Sequence, residues 1–361
     1  MHRIAFVAFL FFFASSIFAQ KRVIIEKFTS SNCGSCPNGA LIIKELQEEY
    51  PGLIWVSHHK PTTWMDYDLD NDQSDVLFNT FNNIGTPVAM VDRTAPGSNV
   101  VTTSGAWESL IVQATNQLAY ANIGIENGFY NPFNRAIEFT VSVTFDELPA
   151  EEGPFHLTVM IVQDSITGDG PDYDQSNYFN DTPGHPLQGL GQPIVGYVHN
   201  NIARAILDGP WGSADVIPNE PEFNQTYSKT YQYTLPDFVD FEHTRVVVLV
   251  ARHDENDITQ RQVLNANERA FVEFVVTNTE EPQVQALSFR LSPNPVQKVL
   301  NIQLEQLPEV GRILNAQGQV LETLRPTDLN IEYEVSNLPK GAYIAQFFVD
   351  GKWWSKQFII Q

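Results

Sequence analysis

Residues 23–36 read VIIEKFTSSNCGSC: an apolar run, a short polar turn and then two cysteines spaced as C-x-x-C. The run Val23–Phe28 has the composition of a buried β-strand, and Cys33 and Cys36 are the only cysteines of the 361 residues. A C-x-x-C pair is a weak signal by itself. Between a strand and a helix of an exported protein it is a much stronger one, because a thiolate at the start of a helix is reactive.

The segment after the cysteines predicts an amphipathic helix followed by a second strand. Ile42, Leu46 and Tyr50 recur every four residues, and Pro37 lies in the first turn, where its missing N–H group costs least. Leu53–Ser57 is a second buried-strand run. Strand, helix and strand at this spacing predict a βαβ unit with parallel strands.

The N-terminus predicts a signal peptide over residues 1–19. Ile4–Phe13 is a nearly unbroken apolar run, and small residues surround a cleavage site after Ala19. The run is too short for a stable anchor, and no later segment has the roughly 18 apolar residues of a membrane helix. We therefore expect a mature chain that leaves the cytoplasm and has no transmembrane helix.

The chain is strongly acidic, with 43 Asp and Glu against 21 Lys and Arg and a net charge of −22. Such a surface repels phosphate backbones, which argues against nucleic acid as a partner. The length predicts two or three domains. A single disulfide cannot hold all of them together, so apolar packing must stabilise most of the fold.

Gly85-Thr86-Pro87 precedes the short apolar run Val88–Val91. A Thr-Pro at this place after a C-x-x-C resembles the cis-proline loop of the thioredoxin superfamily. The resemblance implies that the loop packs against the cysteine pair, and that the backbone of the residue before the proline pairs with a bound peptide. We therefore expect a cis Thr86–Pro87 bond and assign Cys33, Cys36, Thr86 and Pro87 as candidate catalytic residues.

The resemblance also implies roles for the two thiols. Cys33 would attack a substrate disulfide as a thiolate stabilised by the helix N-terminus, and Cys36 would resolve the mixed disulfide. Three features depart from the family. Asn32 replaces the usual Trp, and Lys27 replaces a buried acid, with Glu26 on the opposite face of the strand. The chain also has no further cysteine to relay electrons.

Three interpretations of the pair remain open: a redox-active pair, a static disulfide, or part of a metal site. A metal would need two more ligands, which His58 and His59 could offer, although histidines after a strand are more often polar loop residues. Alternating carboxylates over Met65–Asp72 lack the glycine and the bidentate glutamate of a calcium loop. We expect no metal and no cofactor.

The pattern of apolar and polar residues changes at about Asn122. Alternating apolar residues then predict an antiparallel β-sandwich; they are Ile137, Phe139, Val141, Val143, Phe145, Leu157, Val159, Ile161, Tyr227, Tyr231, Tyr233, Leu235, Val246, Val248 and Val250. Gly168–Gly196 is a long loop rich in Gly, Pro, Asp and Asn, and loops of that size are more often functional or mobile than idle.

The C-terminal segment carries four short markers: Ser292-Pro293-Asn294-Pro295, the turn Asn315–Gln319, Leu338–Tyr343 and Lys356. Together they resemble the type A sorting domain of the type IX secretion system of Bacteroidetes. The resemblance implies passage through the periplasm, export by the type IX machinery, and removal of the domain at the surface. An Ig-like binding module would have the same strands and turns.

Residues 21–280 resemble the Bacteroidetes outer-membrane-protein-28-like family. The similarity rests on Ile25–Thr29 before the cysteines, on Gly85–Pro87 with Val91-Asp92-Arg93, and on His199–Ala205 with Gly209–Gly212. The resemblance places the protein at the outer membrane surface or among secreted proteins, and it defines no activity.

The predicted organisation is therefore a signal peptide (1–19), a thioredoxin-like α/β domain (20–121), an antiparallel β-sandwich (122–280), a linker (281–286) and an Ig-like β-sandwich sorting domain (287–361). The first domain closes with a helix over Ser104–Tyr120, whose apolar side comprises Trp107, Leu110, Ile111, Ala114 and Leu118. The leading hypothesis is thiol–disulfide exchange with protein thiols or disulfides. The alternative is a non-enzymatic surface binding protein or adhesin with a structural Cys33–Cys36 disulfide.

Overall fold

The computed structural model describes residues 21–60, 69, 71–81, 85–150, 153–274, 289–315, 319–349 and 352–361. The protein is mostly β, with three α-helices among these residues. The chain forms two compact units, Met1–Val276 and Thr277–Gln361. No helix in the described ranges is both long and apolar enough to cross a membrane.

The first unit begins with the predicted βαβ arrangement. Strand β1 (Ile24–Thr29) and strand β2 (Ile54–His59) are parallel, and helix α1 (Cys36–Glu49) connects them. Ile43 and Leu46 are buried on the side of α1 that faces the sheet. The βαβ prediction is thus confirmed.

The rest of the first unit adds two helices and eight strands. They are α2 (Asp72–Thr80), β3 (Val88–Val91), α3 (Ser104–Thr115), β4 (Ala121–Asn131), β5 (Ala136–Phe145), β6 (Phe155–Gln163), β7 (Ile202–Leu207), β8 (Thr226–Thr234), β9 (Thr244–Arg252) and β10 (Val263–Ala270). Seven strands form one mixed sheet in the order β10-β9-β6-β7-β2-β1-β3, and β4-β5-β8 form a second sheet.

The large sheet crosses the boundary predicted between residues 121 and 122. Strand β7 pairs in parallel with β2 through Ser57 and Ile202, which joins the segment after residue 122 to the βαβ unit. One apolar cluster accordingly contains Phe28 and Val56 together with Val162 and Val247. The described residues of 21–121 and 122–274 therefore share a sheet and a core, and the boundary between the two compact units, at Val276 and Thr277, lies near the predicted linker.

The alternating residues of the middle segment do form strands that bury one face. Phe139, Val141 and Val143 of β5 pack in the same cluster as Val159 of β6 and Val248 of β9. The three-stranded sheet thus covers one face of the β6–β9 part of the large sheet. Strands β6 and β9 bury their other face as well, in the cluster that contains Phe28 and Val56.

Helix α3 is shorter than predicted. It ends at Thr115, and its buried side holds Trp107, Leu110, Ile111 and Ala114. Leu118 lies beyond the helix and is 62% exposed, so the prediction that it shares the buried side is wrong. The apolar spacing runs past the end of the helix.

The second unit consists of two antiparallel sheets, β11-β12-β15 and β14-β13-β16-β17, around one core. Its strands are β11 (Phe289–Ser292), β12 (Val299–Leu304), β13 (Val310–Asn315), β14 (Val320–Leu324), β15 (Asn330–Glu334), β16 (Gly341–Val349) and β17 (Lys352–Ile360). The Tyr343 hydroxyl donates to Pro339 O at 2.6 Å, and Lys356 Nζ donates to Phe289 O at 2.6 Å. Two of the sequence markers, Leu338–Tyr343 and Lys356, therefore make hydrogen bonds inside this unit.

Several predictions fall outside the described residues. They concern the signal peptide (1–19), the linker (281–286), Asp66, Asp68 and Asp70. Asp72 is described and lies in the first turn of α2.

Candidate functional site

The two cysteines form a disulfide, with an S–S distance of 2.07 Å. Helix α1 begins at Cys36 with Ser35 as its N-cap residue, so Cys33 lies in the turn just before the helix. Cys33 N donates to Ser30 O at 3.2 Å, and Cys36 N donates to Cys33 O at 3.0 Å. Cys36 is 1% exposed and Cys33 is partly exposed, so Cys33 is the more accessible of the two residues.

Pro87 lies against the same helix. The Thr86–Pro87 bond is cis, as predicted. A Cβ added at Gly39 would lie 3.1 Å from Pro87 Cβ, so Pro87 packs on the backbone of the first turn of α1. Thr86 is partly exposed beside the start of β3. The structure thus places Pro87 against α1, the helix that begins at Cys36.

The long loop between β6 and β7 covers the cysteine turn. The buried Gln175 directs its side-chain amide at Ser31 O (2.9 Å) and Cys33 O (3.0 Å). Tyr178 N donates to Gly34 O at 2.9 Å, and its ring lies so close that a Cβ on Gly34 would be 2.2 Å from it. The length of the loop predicted a role, but nothing local in the sequence indicated that Gln175 and Tyr178 would lie on the cysteines.

A cavity of about 160 Å³ lies behind Cys36, between α1, the sheet and the same loop. It is lined by Lys27, Thr29, Cys36, Pro37, Ala40, Leu41, Lys44, Trp55, Ser57, His59, Gln175, Leu187, Tyr197, Val198, His199, Asn200 and Ile202. Lys27, Ser57 and His59 are buried, whereas Lys44, Val198 and Asn200 are exposed. The cavity thus has a polar floor on β1 and β2 and a mouth beside α1.

Lys27 is the unusual group of this cavity. Its side chain is buried, and its Nζ lies 5.3 Å from the centre of the Trp55 ring. Within the described residues no ion pair or hydrogen bond to Nζ is found. Burial lowers the pKa of Lys27 to about 7, because the charged ammonium loses its hydration without gaining a counter-charge.

Glu26 points to the opposite face of β1, as the alternation of a strand predicted. Burial by itself raises the pKa of Glu26, but the charge and hydrogen bonds of Arg93 and the contact with His58 outweigh it and hold the pKa at about 2. Arg93 donates to both carboxylate oxygens, at 2.8 and 2.9 Å, and His58 Nε2 lies 3.3 Å from one of them. Glu26 is therefore committed to a structural ion pair and faces away from the cysteines.

The two histidines considered as metal ligands diverge. His58 Nδ1 lies 2.8 Å from the Ser74 hydroxyl on the Glu26 face. His59 lines the cavity, with its ring 5.3 Å from that of His199. Across the described part of the chain, no group of three or more His, Cys, Asp or Glu side chains is arranged to hold a metal ion.

Comparison with protein families gives two matches. The family described as Outer membrane protein Omp28 matches residues 74–273, and the Secretion system C-terminal sorting domain matches residues 290–361. Among curated proteins, none matches the chain. The protein is accordingly located at the outer membrane surface or secreted, and its sorting domain implies handling by the type IX secretion machinery.

Comparison with solved structures shows a shared fold. HBP35 of Porphyromonas gingivalis is 19% identical with a TM-score of 0.59, and the match covers 95% of this chain and 99% of that chain. A biofilm-associated protein, BSP domain, is 9% identical with a TM-score of 0.22, covering 78% of this chain and 62% of that chain. The second score is too low to indicate a common fold.

Proposed function

We propose that this chain, which belongs to the outer membrane protein Omp28 family, exchanges thiols and disulfides through Cys33 and Cys36 outside the cytoplasm. In this proposal the βαβ unit and Pro87 act as a thioredoxin-like site. The observation that carries it is the placement of the pair: Cys36 is buried at the first residue of α1, and Cys33 is partly exposed in the turn before it.

The proposed exchange balances within the two proteins involved. The Cys33 thiolate attacks one sulfur of a substrate disulfide, forms a mixed disulfide and releases one substrate thiolate. Cys36 then loses its proton and attacks Cys33 Sγ, which closes the Cys33–Cys36 disulfide and releases the second substrate thiolate. Two electrons pass to the substrate, and an external dithiol must restore the pair.

Trapping of the mixed disulfide tests the proposal. Reduced Cys36→Ser keeps the accessible thiol and should accumulate a mixed disulfide with glutathione when oxidised glutathione is added, as mass spectrometry would show. Reduced Cys33→Ser keeps only the buried thiol and should react at least about tenfold more slowly, because accessibility limits attack. Equal rates in the two variants would contradict the assignment of Cys33 as the attacking residue.

A second function has its own supporting observation. Gln175 and Tyr178 cover the cysteine turn, as they would if the disulfide were a structural bridge beneath the binding loop of a surface adhesin. This alternative predicts that the native disulfide resists dithiothreitol and becomes reducible in Gln175→Ala. The exchange function predicts ready reduction of the wild type, and Gln188→Ala, in the same loop but without a bond to the cysteine turn, is the control for both.

A further inference from the structure

The cavity behind Cys36 has features that disulfide exchange does not use. The substrate disulfide reacts with Cys33, which does not line the cavity, and Cys36 lines it at one side, whereas the buried floor is formed by side chains of β1 and β2. Lys27 and Ser57 are directly paired in the parallel register of these strands, and Trp55 lies two residues before Ser57 on the same face.

The charge of the lining is opposite to that of the chain. Lys27, Lys44, His59 and His199 line the cavity, and no Asp or Glu within the described ranges does. The whole chain has about twice as many acidic as basic residues. The nearest acid in sequence, Glu26, is bound to Arg93 on the far side of the sheet. An electropositive cavity in an acidic protein favours an anionic ligand.

The floor also holds donors that lack acceptors in the described residues. Ser57 Oγ and Trp55 Nε1 are buried and have no hydrogen-bond partner there. Lys27 Nζ is a further donor group beside them, and no acceptor for it is found among the described residues. Buried polar atoms left without partners are rare and destabilising, so two of them beside a lysine on one floor indicate a function that recovers this energy.

The walls of the cavity limit the size and polarity of the rest of the ligand. Ala40 and Leu41 of α1, Leu187 of the loop and Ile202 of β7 give the cavity an apolar surface above the polar floor. A volume of about 160 Å³ accommodates a few carbon atoms besides one carboxylate group. Lys44 and Asn200 are exposed at the mouth and leave it polar.

We propose that this cavity binds a small aliphatic carboxylate, whose oxygens accept hydrogen bonds from Lys27, Ser57 and Trp55 while its carbon chain packs between α1 and the loop. A carboxylate has the acceptor capacity that these donors need, and bonds to a charged group are the stronger ones. Binding requires neither a free thiol nor exchange.

Calorimetric titration of the mature, oxidised protein with butanoate tests this inference. Butanoate should bind and butanamide, its neutral analogue of the same shape, should not. Lys27→Met should weaken butanoate binding by at least about tenfold, because a charge-assisted bond is lost. Lys60→Met, a lysine outside the cavity, should leave binding unchanged. Equal binding of butanoate and butanamide, or undiminished binding in Lys27→Met, would overturn the proposal.

Two further measurements exclude a folding artefact. Ser57→Ala removes one donor without removing a charge and should weaken binding several-fold in a protein that is at least as stable to unfolding as the wild type. Proton uptake should accompany binding above pH 7, since the carboxylate stabilises the charged form of Lys27. Absence of both effects would contradict the assigned floor.

Calorimetric titration also tests whether the carboxylate comes from a peptide end or a free acid, and whether its binding is independent of thiol chemistry. N-acetylvaline carries the carboxylate of a peptide C-terminus; tighter binding than butanoate would assign the cavity to peptide ends, and weaker binding would assign it to free acids. Butanoate should bind the fully oxidised wild type, in which the Cys33–Cys36 disulfide leaves no thiol free to attack a substrate. That result would keep the inference even if no exchange activity were found.

Discussion

Glu26 and Lys27 are neighbours on β1, both buried, and their surroundings on the two faces of the sheet differ completely. Glu26 has two hydrogen bonds from Arg93 and a contact with His58, whereas Lys27 has no ion-pair partner in the described chain. The same contrast separates two buried serines. Ser74 contacts His58 and Asn71 on the Glu26 face, and Ser57 has no side-chain partner on the Lys27 face.

This difference distinguishes a structural network from a binding surface. A buried charge is stable only when it is paired and hydrogen-bonded, and the Glu26 face meets that condition inside the protein. The Lys27 face does not, so its donors destabilise the fold until a ligand supplies acceptors. The cysteine pair lies beside this second face, which is where a functional site is expected.

The largest expected change in stability comes from removing the ion pair between Glu26 and Arg93. Arg93→Met leaves the Glu26 carboxylate buried without its cation and should lower the free energy of unfolding by about 3–5 kcal/mol. Urea denaturation at pH 7 measures it. The double variant Glu26→Gln/Arg93→Met removes both charges and should recover part of the loss. A loss below about 1 kcal/mol in Arg93→Met would show that the pair is not the structural network described here.

Lys27→Met should raise the free energy of unfolding, whereas Arg93→Met lowers it. In the wild type the unfolded chain holds the Lys27 proton between about pH 7 and pH 10.5 and the folded chain does not, so stability rises with pH in that window. The slope is at most about 1.4 kcal/mol per pH unit. Lys27→Met should remove this rise and be more stable at pH 7.

Denaturation curves at pH 7 and pH 9 measure this slope, with the exposed Lys44→Met as the control that retains it. If Lys27→Met is less stable than the wild type at pH 7, the lysine has a partner, and the contrast between the two faces fails.

The smallest expected change in the free energy of unfolding comes from replacing one of the two serines, Ser74 or Ser57. Ser74→Ala removes a hydroxyl bonded to His58 and Asn71 and should cost about 1–3 kcal/mol. Ser57→Ala removes a buried hydroxyl that has no partner in the described residues, so it should not lower stability and should raise it by up to about 1–3 kcal/mol. Thermal or urea unfolding of both variants gives the comparison, and equal losses would remove the distinction drawn here.

The sequence predicted what depends on local pattern. Strand β1, helix α1 and strand β2 follow from apolar spacing and from Pro37, and alternation along β1 correctly put Glu26 and Lys27 on opposite faces. Long-range pairing was not predictable in this way. Period-two alternation identifies a strand but not its neighbour, so the pairing of Ser57 with Ile202, which joins the two predicted domains, could not be seen.

The candidate site shows the same limit. The position of the cysteines before a helix was predicted from the residue pattern, and the cis Thr86–Pro87 bond from a family resemblance that rests on two short motifs in order along the chain. Gln175 was missed, since 142 residues separate it from Cys33 and a glutamine in a polar loop has no distinguishing pattern. The partner of Glu26 was missed for a related reason: Arg93 reaches it from a backbone with φ of 51°, which spacing alone does not reveal.

The reduction potential of the Cys33–Cys36 pair in the mature protein tests the exchange function most directly. Equilibration with glutathione or dithiothreitol buffers, followed by thiol alkylation and mass spectrometry, measures it. The proposed function predicts a potential between roughly −270 and −120 mV, the range of exchange proteins. A potential below roughly −300 mV, typical of structural disulfides, would contradict it.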